Sequence, residues 1–152
     1  MTFAIELIQQ EALPTLSVRK RTGVQDLPAV LGQTYGEIMT YAAEMGATVS
    51  GPAYVSYFNM DMADLDVEIG FVCEQTVLGN GTINEGEIAA GRYVSSIHYG
   101  PYAGMEPLYN AMFAYIQENG LAPTGESIEF YYNSPTEVPE SELKTKILMR
   151  VM

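Results

Sequence analysis

The sequence predicts an α+β fold in which a strand–helix–strand–strand unit occurs twice in tandem. Three observations predict it. Stretches with the alternation typical of strands surround two stretches with helical periodicity. The order of these stretches is the same in both halves of the chain, and identical residues recur at a constant spacing. We expect the two units to be related by a pseudo-twofold axis, in an antiparallel sheet with both helices on one side.

In the first half, one helical stretch lies between pairs of strands. Apolar residues recur at helical spacing after Asp26, which is suited to cap the helix, and Gly46 is suited to end it. Pro14 is expected to separate the first two strands. The predicted strands of this half cover residues 3–12, 14–24, 53–59 and 65–73.

A connecting loop and a second copy of the pattern follow. Residues 78–87 are rich in glycine and acidic side chains, a composition that predicts a loop. The next helix is predicted over 103–119, with Gly120 at its end. The predicted strands of this half cover residues 91–99, 127–133 and 145–151.

The repeated residues indicate a tandem duplication. When the residue number is shifted by 74, the identical pairs include Tyr35 and Tyr109, Tyr41 and Tyr115, Gly46 and Gly120, Gly51 and Gly125, Tyr57 and Tyr131, and Asn59 and Asn133. Further on the shift becomes 78, which relates Ile69 to Ile147. We predict one domain over 1–152, with a first half at 14–77 and a second at 88–152. Each half has too little core to stand alone.

The charge of the chain excludes some partners. With 19 acidic and 7 basic side chains, the formal net charge is −12. Direct binding of nucleic acid requires a basic surface, so we expect none. An acidic protein instead attracts cationic ligands, or a basic patch on a partner protein.

No metal or cofactor is expected. Cys73 is the single cysteine and His98 the single histidine, which are too few for a common zinc site. The acidic stretch 61–68 lacks the glycine and the ligand spacing of a calcium loop. The glycine-rich residues 79–86 are not followed by the Lys-Ser/Thr of a phosphate-binding loop.

The composition also bears on the compartment. The N-terminus has no basic segment before its apolar residues, so it does not resemble a signal peptide. No apolar run approaches the roughly 20 residues of a membrane helix. A single cysteine is typical of a reducing compartment. We therefore expect a cytoplasmic protein without membrane association.

A candidate site follows from the position where the two halves differ. Glu129 and Tyr131 point to one face of their strand, and the equivalent residues of the first half are Val55 and Tyr57. If that face lines a cleft between the halves, one carboxylate lies among aromatic rings. It can then neutralise a lipophilic cation or, with a raised pKa, act as a general base. The alternative is a glutamate on the solvent face, and alternation alone does not decide between the two.

Aromatic residues extend this hypothesis. The chain has 11 tyrosines and 9 methionines, which suit a pocket that accepts varied ligands. The candidate ligand-binding tyrosines are Tyr57, Tyr93, Tyr99, Tyr109 and Tyr131. For His98 we favour a structural role, in which it stabilises the tight turn at Gly100-Pro101.

Two motifs resemble those of a known family. His98-Tyr99-Gly100-Pro101-Tyr102 and the strand Ile128–Pro135, which reads IEFYYNSP, are together similar to the GyrI-like small-molecule-binding domains. These domains also form the effector-binding parts of multidrug-responsive transcription activators. The resemblance covers essentially the whole chain. It implies the duplicated fold argued above and a stand-alone member, since no helix-turn-helix precedes the domain.

The resemblance also implies site residues. A glutamate in the family's central cleft faces cationic aromatic ligands and aligns with Glu129, and Tyr131 is its aromatic neighbour. A second acid of some members has its nearest counterpart in Glu142. The last strand departs from the family pattern, because Thr145-Lys146-Ile147 has a lysine where an acid is common and no proline pair follows.

Three functions remain open from the sequence. The leading one is capture of lipophilic, often cationic, aromatic small molecules by Glu129 and the tyrosines. The second, implied by some family members, is a hydrolase that opens strained rings, with Glu129 as general base beside Tyr131. The third is a protein-interaction role like that of the gyrase-inhibiting members, through the acidic surface.

Overall fold

Eight strands and two α-helices form the described part of the chain in a computed structural model, which describes residues 3–49 and 51–152. The elements are β1 (Glu6–Gln10), β2 (Leu13–Thr22), α1 (Leu27–Glu44), β3 (Ala53–Tyr57), β4 (Leu65–Val72), β5 (Asn84–Ile88), β6 (Gly91–Tyr99), α2 (Glu106–Glu118), β7 (Pro123–Tyr131) and β8 (Lys144–Val151). Short 3-10 turns cover Tyr102–Gly104 and Glu140–Glu142. The predicted α+β class is confirmed. Residues 1, 2 and 50 of the predicted domain lie outside the described residues.

The chain forms two compact units. The α1 unit contains β2, α1, β3, β4 and β5, and the α2 unit contains β1, β6, α2, β7 and β8. Strands in the α1 unit are ordered β5-β2-β4-β3, and those in the α2 unit are ordered β1-β6-β8-β7. All of these pairings are antiparallel.

Strand registers match between the units, residue for residue. The pair Thr15 and Val72 joins β2 to β4, and the equivalent pair Tyr93 and Arg150 joins β6 to β8 at the shift of 78. The β3–β4 and β7–β8 registers agree in the same way, with β7 related to β3 by the shift of 74. The duplication inferred from sequence identities is therefore confirmed in the backbone pairing.

Each unit takes its outer strand from the neighbouring repeat in the sequence. Two residues separate β1 from β2, yet β1 pairs with β6, as Glu6 opposite Ser95 illustrates. Likewise two residues separate β5 from β6, yet β5 pairs with β2, where Asn84 lies opposite Ser17. These two pairs are related by the same shift that relates β2 to β6. The outer strands have thus exchanged places between the two copies.

This exchange corrects two predictions. The loop predicted over 78–87 is wrong from residue 84, because β5 begins there. Four of the five β5 residues are exposed, so the sequence of this strand shows no apolar alternation. Backbone hydrogen bonds hold it at the edge of the sheet instead. Pro14 does not separate β1 from β2 but lies inside β2, opposite Glu87. Proline is tolerated near the start of a strand.

Each helix packs its apolar stripe on the strands of its own unit. Ile38 and Ala42 of α1 pack with Leu16 and Val18 of β2. The core of the α2 unit contains Leu108, Met112 and Ile116 of α2 with Val94, Ile147, Met149 and Val151 of the sheet. In the part of the chain that the structure describes, no helix is long and apolar enough to cross a membrane.

Helix ends and hairpins repeat as well. Gly46 and Gly120 have φ values of 63° and 64°, which glycine adopts readily, and each lies two residues past its helix as predicted. Asp26 precedes α1 but makes no side-chain capping hydrogen bond, so that prediction is wrong. Asn59 and Asn133 each donate to and accept from the backbone of the following hairpin.

Candidate functional site

Glu129 lies on the face of the sheet that packs against α2. It is directly opposite Ile147 on β8, and Ile147 belongs to the core that α2 covers. Directly opposite residues in antiparallel strands project to the same side. Glu129 is half-buried there, and Ile128 and Phe130 are buried on the other side of β7. The solvent-face alternative for Glu129 is therefore wrong.

Both carboxylate oxygens of Glu129 accept a hydrogen bond from a phenol. Tyr131 lies two residues further along β7 and donates from Oη to Oε1 over 2.7 Å. Tyr109, near the start of α2, donates from Oη to Oε2. A strand and a helix thus converge on one carboxylate, which fixes its orientation.

Further aromatic rings surround this contact. The Tyr102 ring meets the Tyr131 ring edge-on, with 5.7 Å between ring centroids. The Phe113 ring lies 6.4 Å from that of Tyr109, one helical turn along α2. We call Glu129, Tyr102, Tyr109, Phe113 and Tyr131 the Glu129 cluster. Its aromatic faces and edges can contact an apolar ligand beside a carboxylate.

Burial dominates the electrostatics of the cluster. It raises the pKa of Glu129, because the ionised carboxylate loses contact with water. Hydrogen bonds from Tyr109 and Tyr131, together with the nearby His98, oppose that rise in pKa. The pKa of Tyr102 is also raised, first by burial and then by the charge of Glu129. A cation in this cluster would therefore meet a carboxylate that is only partly solvated.

The turn before α2 positions Tyr102. His98 Nε2 lies 2.8 Å from the carbonyl oxygen of Pro101, which confirms the predicted structural role of this histidine. Gly100 has a φ of 115°, a conformation that side chains disfavour. Its N–H donates to the carbonyl of Leu143 over 2.9 Å, which ties the turn to the start of β8. The His-x-Gly-Pro-Tyr motif thus presents Tyr102 to the cluster.

The structure brings some predicted site residues together and leaves others apart. Glu129, Tyr109 and Tyr131 are joined by hydrogen bonds. Tyr93 is 0% exposed on β6 and projects away from α2, while Tyr99 is 66% exposed at the end of the same strand.

The two remaining candidates are Tyr57 and Glu142. Tyr57 is half-buried at the end of β3 in the α1 unit. Glu142 is exposed in a 3-10 turn, where its carbonyl oxygen accepts from Asn133. The roles of Tyr57 and Glu142 in ligand binding stay predictions.

Sequence reasoning missed Tyr102 and Phe113. Tyr102 stands in the quoted His-x-Gly-Pro-Tyr motif, but its position beside Tyr131 depends on how the turn folds back onto the sheet. Phe113 follows Tyr109 by four residues in α2, a spacing that places two helical side chains side by side. That spacing was the available signal for Phe113.

A second phenol–carboxylate contact occurs in the α1 unit. Tyr54 donates to Glu68 over 2.7 Å, and both lie on the sheet face away from α1. Tyr54 is fully buried, and this burial raises its pKa far above the ordinary phenol value. Within residues 3–49 and 51–152, no group of acids, histidine and cysteine could hold a metal.

The duplicated α+β architecture places one carboxylate between two phenols in the α2 unit. Residues 3–152 match the model of the GyrI-like small molecule binding domain, and the chain belongs to the GyrI-like family. The resemblance inferred from the two motifs is confirmed. No curated protein matches the sequence.

Solved structures share this fold at low identity. EcmrR in its complex with DNA is 20% identical with a TM-score of 0.85, and the match covers 98% of this chain and 57% of that one. SAV2435 bound to tetraphenylphosphonium is 12% identical with a TM-score of 0.68, over 98% and 94% of the two chains. A hydrolase from Listeria innocua is 13% identical with a TM-score of 0.69, over 97% and 91%.

Proposed function

We propose that this protein binds lipophilic, often cationic, aromatic small molecules at the Glu129 cluster. Glu129 is the counter-ion and the tyrosine rings are stacking surfaces. The observation that carries the proposal is the half-buried carboxylate whose two oxygens each accept a hydrogen bond from a phenol. The proposal includes a cytoplasmic location and no direct contact with nucleic acid, in keeping with the acidic composition.

The energetics favour a cation over a neutral ligand. An ionised carboxylate is costly to bury without a partner of opposite charge. A bound cation supplies that partner, and each tyrosine face adds cation–π attraction of roughly 0.5–2 kcal/mol. The net charge of −12 also draws cations toward the protein, an effect that salt weakens.

A similar fold that holds such a ligand supports the proposed ligand class. SAV2435 is bound to tetraphenylphosphonium, a lipophilic aromatic cation, and its match covers 98% of this chain. EcmrR carries a similar domain within a longer chain that binds DNA. At these identities the likeness concerns the fold, so the argument for a cation rests on Glu129 itself.

A hydrolase is the second candidate, and the raised pKa of Glu129 favours it. A carboxylate with a pKa closer to neutrality is a stronger general base than an exposed one. Glu129 would take a proton from water beside Tyr131 while the water oxygen forms a bond to a carbon of the strained ring. The ring bond at that carbon would break, and its displaced electron pair would take up the proton from Glu129. The Listeria innocua structure with a hydrolase description shares the fold at 13% identity.

The deciding experiment is a titration with tetraphenylphosphonium and fluorescent cationic dyes, followed by mass analysis of the ligands. Glu129→Gln is compared with the wild type and with Glu126→Gln. Glu126 is the matched control, since it also lies on β7 but pairs with Arg150 at 3.5 Å.

We expect Glu129→Gln to weaken cation binding at least tenfold, about 1.4 kcal/mol, and Glu126→Gln to leave it unchanged. Equal losses of cation affinity in both variants would mean that net charge alone determines binding, and would contradict the proposal. A ligand altered only by the wild type would favour the hydrolase. Binding of a basic protein that survives Glu129→Gln and disappears in salt would favour the protein-interaction role.

A further inference from the structure

A threonine lies beside the Glu129 cluster, on the same face of the sheet. Thr145 on β8 is directly opposite Tyr131 of β7 on one side and His98 of β6 on the other. Directly opposite residues project to the same side, with Cβ atoms about 4.5–5.5 Å apart. Glu129 is two residues from Tyr131 along β7, so it is the diagonal neighbour of Thr145.

The Thr145 hydroxyl is buried and has no partner. The residue is 0% exposed, and its Oγ1 has no hydrogen bond with any residue that the structure describes. A buried hydroxyl without a partner destabilises the folded state, whereas valine has almost the same shape and no such cost. The hydroxyl therefore has no structural benefit that the described contacts account for.

The other repeat has a valine at the equivalent position. Val67 lies opposite Tyr57 in the α1 unit, as Thr145 lies opposite Tyr131 in the α2 unit. Val67 is 0% exposed as well. The fold thus accepts an apolar side chain there.

The difference between Val67 and Thr145 accompanies the difference between Val55 and Glu129 in the two repeats. The α1 unit has Val55 where the α2 unit has Glu129, so two neighbouring valines of one repeat are a carboxylate and a hydroxyl in the other. Both polar replacements lie on the face that packs against the helix of their unit. The position of this unpartnered Oγ1 diagonally beside Glu129 indicates that the two side chains act on the same ligand.

We propose that Thr145 is a hydrogen-bonding subsite of the Glu129 cluster. It takes an uncharged polar group of the ligand, such as a hydroxyl, an amine N–H or a carbonyl, while Glu129 faces the positive charge. This inference rests on the proposed function and narrows its ligand class to aromatic cations that carry such a group. A cation without one leaves the Thr145 hydroxyl unpartnered and binds more weakly.

The binding test uses two matched cations, tetraphenylphosphonium and its analogue with one 4-hydroxyphenyl ring. The proteins are the wild type, Thr145→Val, and Thr145→Ser as the variant that keeps the hydroxyl. We expect Thr145→Val to weaken binding of the hydroxylated cation about fivefold to tenfold, with tetraphenylphosphonium affinity unchanged. Thr145→Ser should retain the preference for the hydroxylated cation. Equal effects of Thr145→Val on both cations, or no effect on either, would overturn the subsite.

The melting temperature of the ligand-free protein gives an independent answer. If Oγ1 has no partner in the free protein, Thr145→Val should raise the melting temperature by about 2–4 °C. A lower melting temperature would mean that the hydroxyl is bonded within the protein, and it would overturn the subsite. Glu129→Gln separates the two proposals. If this variant binds both cations as tightly as the wild type, the proposed function is overturned. Absence of any cation binding by the wild type overturns both.

Discussion

Tyr35 and Tyr109 occupy equivalent positions in α1 and α2, but their hydroxyls bind different acceptors. Tyr35 donates to the backbone carbonyl of Tyr54 over 2.9 Å. Tyr109 donates to the side chain of Glu129. The difference follows from the strand, because the α1 unit has Val55 where the α2 unit has Glu129. One repeat uses the tyrosine for structure, and the other uses it to bind a carboxylate.

The first prediction concerns Tyr109→Phe. Its hydrogen bond stabilises the ionised form of Glu129 and so opposes the rise in pKa caused by burial. Removing the hydroxyl should raise the pKa of Glu129 further, because the ionised carboxylate loses a hydrogen bond that stabilises it. A ¹³C NMR titration of the Glu129 carboxyl measures this directly.

Tyr35→Phe is the matched control for that variant. It removes the equivalent hydroxyl from the other repeat, at a cost of about 1 kcal/mol in the free energy of unfolding. The pKa of Glu129 should stay at its wild-type value in this variant. An equal pKa change in both variants would show that Tyr109 acts through general stability rather than through its contact with Glu129.

The second prediction is a pH dependence of cation binding. The pKa of Glu129 is raised in the free protein, and a bound cation lowers it because it favours the charged form. Binding should therefore release protons, and affinity should fall as pH decreases through the raised pKa. Calorimetric titration with tetraphenylphosphonium in buffers of different ionisation enthalpy measures the released protons. Glu129→Gln should bind with no pH-dependent release, and a similar release from this variant would assign the proton to another group.

The third prediction concerns folding stability. A glutamate whose folded pKa is raised binds its proton more tightly in the folded state than in the unfolded chain. The protonated glutamate therefore stabilises the folded state. This contribution to the free energy of unfolding is complete below the pKa of the unfolded chain, about 4.3, and is lost as pH rises through the raised pKa of the folded state. The melting temperature of Glu129→Gln minus that of the wild type should therefore increase with pH across this window.

Thermal unfolding at closely spaced pH values from about 4 to 8 measures that difference. Other titrating groups are common to both proteins and cancel in the comparison. A difference that decreases as pH rises would mean that the hydrogen bonds from Tyr109 and Tyr131 outweigh burial and lower the pKa of Glu129.

Much of the fold followed from the sequence because local patterns match the periodicity of each element. The strand predicted over 91–99 is β6 without change, and Gly46 and Gly120 end their helices as expected. The two shifts in residue number that relate the repeats reappear in the strand registers. β5 was missed because an outer strand held by backbone hydrogen bonds needs no apolar alternation.

The site was less accessible to sequence reasoning. Glu129 and Tyr131 share a strand, so alternation and the break in symmetry identified them together. Tyr102 and Thr145 come from other elements, and their proximity depends on the turn geometry and on the β7–β8 register. Tyr93 fits the aromatic pattern of a pocket, yet the register of β6 directs it to the opposite face from α2.

The last prediction concerns Gly70, which lies in β4 between β2 and β3. A Cβ atom there would lie 2.4 Å from the carbonyl oxygen of Leu16 and 2.9 Å from Cε1 of Tyr54. Because Leu16 O is backbone and Tyr54 is fully buried, neither can move away easily. Gly70→Ala should therefore lower the free energy of unfolding by about 1–3 kcal/mol.

Gly36→Ala is the control for this overpacking, since Gly36 lies inside α1 and a Cβ atom there meets nothing within 4 Å. Alanine favours the helix, so this variant should be more stable than the wild type by about 0.5–1 kcal/mol. Urea unfolding of both variants measures the two changes with opposite signs. A Gly70→Ala protein as stable as the wild type would mean that β2 and β3 can separate enough to admit a methyl group, and the close contact around Tyr54 would then not be a constraint on the fold.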